Sequence, residues 1–508
     1  MSAPHLVVRH RLLVTLSLTL TALMQTLDST IANVALPHMQ GSMAATQDEI
    51  SWVLTSYILA TAIMTPPSAF LANRYGRKNV LVACGIGFVL ASALCGAATS
   101  IGQIVGFRFL QGAFGAPLMP IIQALLLDMY SDKERGKAMA IFGFGVMFGP
   151  IIGPTLGGLL TDFYNWRWVF YINLPLGALA LVGMIVFMPQ SKRETERSFD
   201  FLGFGLLSIT VAALQLALDR GQSLNWFAST EIICELMISG LCFYLFLVHT
   251  FTTSNPFLEP KLFRDRNFVA GLVFNFFASS TLMGTMALMP SFLQNLLGIP
   301  VLTAGMLMAP RGVGTLLAMM VIPKLADVVD PRWLLLIGIV ITGMSMGQMA
   351  NLTLEVDSST IMHIGFIQGV GLGFTMIPIS ILIFSTLDRR YRTEGTAMYN
   401  LLRNLGGSLF ISLMITKLAQ NTQTYHAHLT ESVTAFGDAL PSMWDWQSSA
   451  GAMALNGEIT RQASGIAYFN DFVIMQWLAL VTIPLLLLFK KAPKLDESAE
   501  KEPAVHAD

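Results

Sequence analysis

Long stretches without charge constrain this chain more than anything else in it. Residues 267–310 contain no charged side chain, and Leu12 to Leu36 and residues 80–127 contain one each. A helix crosses the hydrocarbon of a bilayer with about 20 apolar residues. Fourteen runs of that kind can be marked: 12–36, 50–71, 80–98, 103–126, 138–160, 169–188, 201–218, 229–250, 268–290, 301–322, 333–352, 360–386, 395–415 and 467–489. Only Asn295, Gly298 and Pro300 mark a turn between the ninth and tenth. Composition agrees. Of 508 residues 54% are hydrophobic and 12% charged, about half the roughly 25% charged of soluble domains. That apolar content excludes disorder, and continuous rather than alternating runs argue against a transmembrane barrel. The expected fold class is an all-α polytopic membrane protein with fourteen transmembrane helices.

Charge gives direction. With a cytoplasmic N-terminus, inside segments hold 23 of the 30 basic residues and outside loops hold four, Arg167, Arg220, Lys417 and Arg461. Arg108, Arg311 and Arg403 stay within the membrane. The positive-inside rule then puts both termini in the cytoplasm. The first run is too long for a cleaved signal and reads as a signal-anchor helix. Residues 416–466 read as a long periplasmic loop, with an amphipathic helix over 452–468, and residues 492–508 as a disordered cytoplasmic tail. A net charge of -1 provides no basic field for nucleic acid. Cys84, Cys95, Cys234 and Cys242 form no CxxC pair, and no metal site is expected. No phosphate-binding G-x-x-x-x-G-K-[ST] loop is present, so ATP is not expected as the energy source.

The chain repeats itself. Leu71-Ala72-Asn73 recurs as Leu325-Ala326-Asp327, Phe109-x-Gln111-Gly112 as Phe366-x-Gln368-Gly369, and Gly136-x-Ala138-Met139 as Gly395-x-Ala397-Met398. The offsets drift from 254 through 257 to 259. Helices one to six thus match nine to fourteen in the same direction, the construction of a rocking transporter with its substrate site between the halves. The expected division is an N-terminal six-helix bundle over 1–190, two inserted helices over 191–266 and a C-terminal six-helix bundle over 267–491.

Five segments carry a resemblance. Ala69-Phe70-Leu71-Ala72-Asn73-Arg74-Tyr75-Gly76-Arg77-Lys78 resembles the loop signature of the major facilitator superfamily, with Ala69 for Gly and Asn73 for Asp. Asn73, Arg74, Gly76, Arg77, Lys78 and Asp327 would form a cytoplasmic gate loop. Gly145, Gly149, Pro150, Gly153, Pro154, Gly157 and Gly158 clear one face of the fifth helix for close packing; the pattern resembles the antiporter signature of that superfamily. Asp28-Ser29-Thr30-Ile31-Ala32-Asn33-Val34-Ala35-Leu36-Pro37, Trp166-Arg167-Trp168-x-Phe170-x-Ile172-Asn173-x-Pro175 and Gly457-Glu458-Ile459-Thr460-Arg461-Gln462-Ala463 resemble the fourteen-helix drug:proton antiporters of the EmrB/QacA type. That resemblance covers nearly the whole chain. It implies export of hydrophobic or amphipathic compounds across a bacterial inner membrane, with protons as coupling ion and no other cofactor. Among Gram-negative relatives it often implies a periplasmic adaptor and an outer-membrane channel.

Asp28 and Arg108 are the expected proton-coupling residues, since an acid at helix depth is rarely retained without a role or partner. At 1.5 Å per residue both sit roughly 8–12 Å below the outer surface, close enough to meet directly or through water. Arg108-x-x-Gln111-Gly112 resembles the fourth-helix signature of the superfamily. Gln25, Asn33, Gln111, Gln123, Asn275, Arg311, Gln368, Arg403 and Asn404 are candidates to line a substrate cavity or to bond helices together. The 29 methionines and 33 phenylalanines suit an adaptable greasy pocket. A dedicated metabolite, siderophore or fatty-acid exporter, or a uniporter, remains the alternative within transport. A membrane-embedded enzyme would need a cluster of reactive groups, which these scattered charges do not provide.

Overall fold

The computed structural model describes residues 10–130, 134–190, 199–326, 328–432 and 448–490, and among these there is no strand. In chain order the helices are α1 (Arg11–Met43), α2 (Gln47–Met64), α3 (Ser68–Tyr75), α4 (Arg77–Ala97), α5 (Ile101–Gly115), α6 (Leu118–Met129), α7 (Arg135–Phe163), α8 (Trp168–Tyr171), α9 (Asn173–Phe187), α10 (Phe201–Arg220), α11 (Thr230–Thr252), α12 (Arg266–Ser291), α13 (Val301–Ala326), α14 (Pro331–Ala350), α15 (Ser358–Ser385), α16 (Arg392–Ser432) and α17 (Ser449–Val481). Prolines explain the breaks. Pro66 and Pro67 lack the donors that would join α2 to α3, and the two helices bend by 57°. Pro117 stands between α5 and α6.

Among the described residues, twelve helical segments are long and apolar enough to cross a membrane, or thirteen when the bent α2–α3 pair is one span. α16 is not among them; Tyr399, Asn400, Arg403 and Asn404 dilute its apolar stretch. The segment expected as a loop over 416–466 is mostly helix. α16 continues unbroken to Ser432, and α17 begins at Ser449. Polar side chains on a helix outside the hydrocarbon look like loop composition, which is why the extension reads as one. With 41 residues, α16 is about 60 Å long at 1.5 Å per residue, about twice the hydrocarbon thickness. Residues 433–447, between the two extensions, and the tail over 492–508 lie outside the described residues.

Small residues set the packing. A Cβ on Gly145, Gly149, Gly153 or Gly157 would strike Thr19, Thr26, Thr30 or Ile31 of α1 in turn. The four-residue glycine spacing of α7 therefore lets α1 lie backbone to backbone against it. α7 packs against α13 as well, where Gly136 meets Pro323, Gly143 meets Met319 and Thr155 meets Gly305. α7 thus joins the helices before the inserted pair to those after it.

The repeat is visible in three dimensions. Gly112 of α5 sits against the carbonyl of Tyr57, and Gly369 of α15 against the carbonyl of Arg311. At the first crossing the Thr61 hydroxyl donates to the Gly112 carbonyl at 3.4 Å; at the second Thr315 donates to Gly369 at 3.0 Å. The inserted helices α10 and α11 pair with each other, and α10 touches both sides: Thr55 of α2 bonds Asp219, while Ser412 of α16 donates to the Leu218 carbonyl.

Gly149→Ala places a methyl against the backbone of Thr26 and Leu27. It should cost about 1–3 kcal/mol, the usual range for overpacking a tight interior. Gly158, with nothing within 4 Å of its would-be Cβ, should accept alanine within about 0.5 kcal/mol. Unfolding midpoints of the two purified variants check the difference.

Candidate functional site

Asp28 lies midway along α1 with no exposed surface, and Arg108 of α5 is equally enclosed. They meet directly: Arg108 Nη1 donates to Asp28 Oδ2 at 2.7 Å. Gln111, one turn along from Arg108, donates through Nε2 to Asp28 Oδ1 at 2.8 Å. Asn173, at the start of α9, donates to the same oxygen at 2.6 Å. Three donors from two helices thus converge on one carboxylate, the arrangement that stabilises a buried anion. Arg108 is held in turn by the Gln111 Oε1 at 2.8 Å and the Val53 carbonyl at 3.2 Å. Its guanidinium lies 4.3 Å from the Tyr57 ring centre and 5.6 Å from that of Phe170, both within cation–π range. Ser92 steadies Asn173: its Oγ accepts from Asn173 at 3.0 Å and donates to the Phe170 carbonyl at 2.9 Å.

All three neighbours present N–H groups to the carboxylate. A proton on Asp28 would need an acceptor. Asn173 Oδ1 has no hydrogen-bond partner, so turning that amide would provide one.

A second constellation closes the end of the molecule where α3 meets α4. Asp128, after the apolar run of α6, accepts from Arg77 at 2.6 Å and from Arg392 of α16 at 2.7 Å. Deeper, Thr396 donates to the Pro120 carbonyl at 3.0 Å, and Asn400 donates to Gln123 Oε1 at 2.6 Å. Charge outside and amides inside thereby tie α16 to α4 and α6. Lys78 caps the end of α9 through the carbonyls of Ile185 and Met188, a cation at the negative pole of a helix.

In the helices after the inserted pair, Gln368 donates to Thr285 Oγ1 at 3.2 Å. It lines a pocket with Thr281, Leu282, Thr342, Leu372 and Thr375. Leu282 and Leu372 also cluster with Met147 of α7 and with Met283, Met286 and Met376. This is a flexible thioether surface made by helices from both sides of the chain. A wider pocket near Asn73, Arg74, Asp200 and Glu394 lies at the Asp128 end instead, ringed by Phe70, Phe199 and Phe257.

A family model of the Major Facilitator Superfamily matches residues 18–411. The chain belongs to that superfamily. Among curated relatives, it is 33% identical over 435 residues to the multidrug export protein EmrB of Escherichia coli K12, covering 85% of each chain. It is 32% identical over 486 residues to the fatty acid resistance protein FarB of Neisseria gonorrhoeae, covering 94% of this chain and 96% of FarB. The resemblance to the EmrB type read from the motifs is borne out, and the chain is a member of the drug-efflux family of the superfamily. Among solved structures, the human organic anion transporter MFSD10 shares the fold, with a TM-score of 0.60 at 13% identity over 94% of this chain and 99% of that one. An inward-facing, occupied bacterial homologue of the lysosomal transporter Spinster does so with a TM-score of 0.54 at 17% identity, over 94% and 96%. The protein is a multi-pass membrane transporter of small molecules.

Against that superfamily frame, the candidate residues divide. Gln111 belongs to the Asp28 cluster, and Gln25 hydrogen-bonds Tyr57 beside it. Gln123 belongs to the closed end rather than to a cavity. Asn275 is spent on the Tyr399 carbonyl at 3.0 Å. Asn33 is exposed, and Arg403 and Asn404 are half-buried. Arg311 is buried with Nη2 unpartnered. In the gate signature, Asn73 and Arg74 lie in helix α3 rather than in a loop, and Gly76 alone makes the turn with φ +87°, a conformation natural to glycine. Asp327 lies outside the described residues.

Four residues were not anticipated: Tyr57, Asp128, Asn173 and Asp471. Asp471 of α17 has no exposed surface, and neither carboxylate oxygen has a hydrogen-bond partner. It is the only charge between Arg461 and Lys490, so the count that singles out Asp28 singles it out too.

Asp128→Asn should loosen the closed end, because both arginines lose their anion. A cysteine placed at Gln123, with the four native cysteines replaced, should react several-fold faster with a thiol reagent in that variant.

Proposed function

We propose that this protein is a proton-driven exporter of hydrophobic and amphipathic compounds. The observation that carries the reading is the sealed Asp28–Arg108 pair, with a carboxylate held by three donors and an amide able to turn toward its protonated form. In this reading α16 is one more span, the thirteenth of fourteen in chain order, both termini are cytoplasmic, and two six-helix halves flank the α10–α11 insertion. The end held by Asp128 is the cytoplasmic one, so the arrangement described is shut to the cytoplasm. A proton arriving from outside neutralises Asp28 and releases Arg108 from its anion. The altered α1–α5 contact passes to the glycine-lined α1–α7 contact, and α7 carries it to α13. Substrate binding in the shut-outside state then favours return of the proton to the cytoplasm.

The likeness to EmrB supports multidrug export. A fatty-acid exporter is the second reading, favoured by the likeness to FarB over 96% of that protein. The helical extensions of α16 and α17 offer a rigid platform on which a periplasmic adaptor and, through it, an outer-membrane channel would assemble.

Dye or drug uptake into inverted vesicles under an imposed pH gradient tests the reading. Wild-type uptake should stop when the gradient is collapsed. Asp28→Asn should lose gradient-driven uptake while keeping substrate exchange across vesicles without a gradient. Undiminished gradient-driven uptake by Asp28→Asn would remove Asp28 from the mechanism.

A further inference from the structure

The last membrane helix carries an acid that the Asp28 cluster does not use. Asp471 of α17 has no exposed surface, and no described residue hydrogen-bonds either of its carboxylate oxygens. It stands inside the apolar run that begins at 467, and no other charge occurs between Arg461 and Lys490. A bare carboxylate enclosed in this way is costly, because nothing offsets its desolvation.

The repeat identifies the position. At an offset of 298, Phe170-Tyr171-x-Asn173 falls on Tyr468-Phe469-x-Asp471. The increase over the offset of 259 reflects the outer extensions of α16 and α17. Burial keeps the same phase: Phe170 and Tyr468, Asn173 and Asp471, Gly177 and Met475 are buried pair by pair. In the first half the acid is Asp28 on α1, and Asn173 is the amide on α9 that binds it. In the second half α12, the counterpart of α1, has no acid beyond Arg266. The acid stands instead where the amide would be.

Few titratable groups face it. Lys417, exposed on α16, lies within electrostatic reach of Asp471 but outside hydrogen-bond reach. Tyr468, one turn back on α17, donates to Ser291 Oγ of α12 at 2.9 Å, and the exposed Asn295 donates to the same oxygen at 3.0 Å. Tyr425 of α16 accepts from Asn470 at 2.7 Å. Of the other segments packed against α17, α12 beyond Arg266, residues 292–296 and α14 beyond Arg332 contain no titratable side chain. Polar atoms thus run from Asn295 to the turn of α17 that precedes Asp471, whereas Phe472 and Met475 belong to an apolar cluster.

We propose that Asp471 is a second proton-carrying carboxyl, so that each transport cycle moves a proton here besides the one at Asp28. A proton from the outer water adds to one carboxylate oxygen; in the return stroke that O–H bond breaks and the proton leaves to the cytoplasmic water. A proton neutralises an enclosed carboxylate without needing a cavity. The proposal deepens the export reading and rests on it for the direction of proton flow.

Infrared spectroscopy of the full-length protein in phosphatidylcholine discs tests the proton site without transport. The wild type should show the C=O stretch of a protonated carboxyl, shifted in heavy water, and should lose it reversibly as pH is raised. Asp471→Asn should remove that band and Asp28→Asn should keep it. Asp471→Glu should restore it, which separates loss of the carboxyl from misfolding. A band that survives in Asp471→Asn overturns the proposal. So does one that persists at every pH at which the protein stays folded, since that carboxyl is structural. In inverted vesicles, exchange of one ethidium for two protons moves net charge, and exchange for one proton moves none. A lumen-positive potential without a pH gradient should therefore drive ethidium into wild-type vesicles. Asp471→Asn should lose that response while keeping weaker uptake under a pH gradient; an undiminished response overturns the second proton. The infrared measurement involves no transport, so failure of the export reading and failure of this site are told apart.

Discussion

One ion pair in a medium without water organises the N-terminal half of this protein. An isolated carboxylate or guanidinium at that depth is expensive, and the attraction between them repays it only when the remaining polar atoms are also satisfied. Here Gln111 and Asn173 complete the carboxylate, and Val53, Tyr57 and Phe170 complete the guanidinium. α1, α2, α5, α8 and α9 each supply part of the cluster, so its charges are linked to the placement of five helices at once. Loss of either charge there would change how those helices fit.

Close packing gives that change a route. α7 touches α1 along its glycine face and α13 along another. Because the contact with α1 is backbone against side chain and backbone, with no long side chains to absorb a shift, displacement of α1 is displacement of α7. At the Asp128 end the opposite logic holds. Arg77, Arg392, Asn400 and Thr396 are tied by hydrogen bonds that can be broken and remade without repacking a core. Rigid seams and detachable polar ties are the two parts that a rocking transporter needs.

Much of this was legible in the residues themselves. Asp28 and Arg108 stand out because each is the lone charge of an apolar run, and the glycine spacing of α7 announces a helix contact. The repeat identifies which crossings correspond. Other features leave weak marks. Asn173 is one amide in a loop-like Trp-Arg-Trp segment, and only the folding of α8 and α9 brings it to Asp28. Asp128 lies at the end of an apolar run, where a charge looks like ordinary interfacial polarity. The outer parts of α16 and α17 carry the polar composition of a loop, and only their unbroken backbone hydrogen bonding makes them helices. α16 falls short of a span in apolarity because the same segment contributes Tyr399, Asn400 and Arg403.

The α10–α11 hairpin is fastened on two sides. Thr55 and Trp52 hold it to α2 through Asp219 and Arg220, while Ser412 and Thr416 hold it to α16 through Leu218 and Trp226. α2 and α16 lie on opposite sides of the seam between the repeated units. Any motion that parts them at this level must stretch the hairpin, bend α10 or release one of its two anchorages. The extra helices are therefore not passengers: they form a tether whose length limits how far α2 and α16 can part.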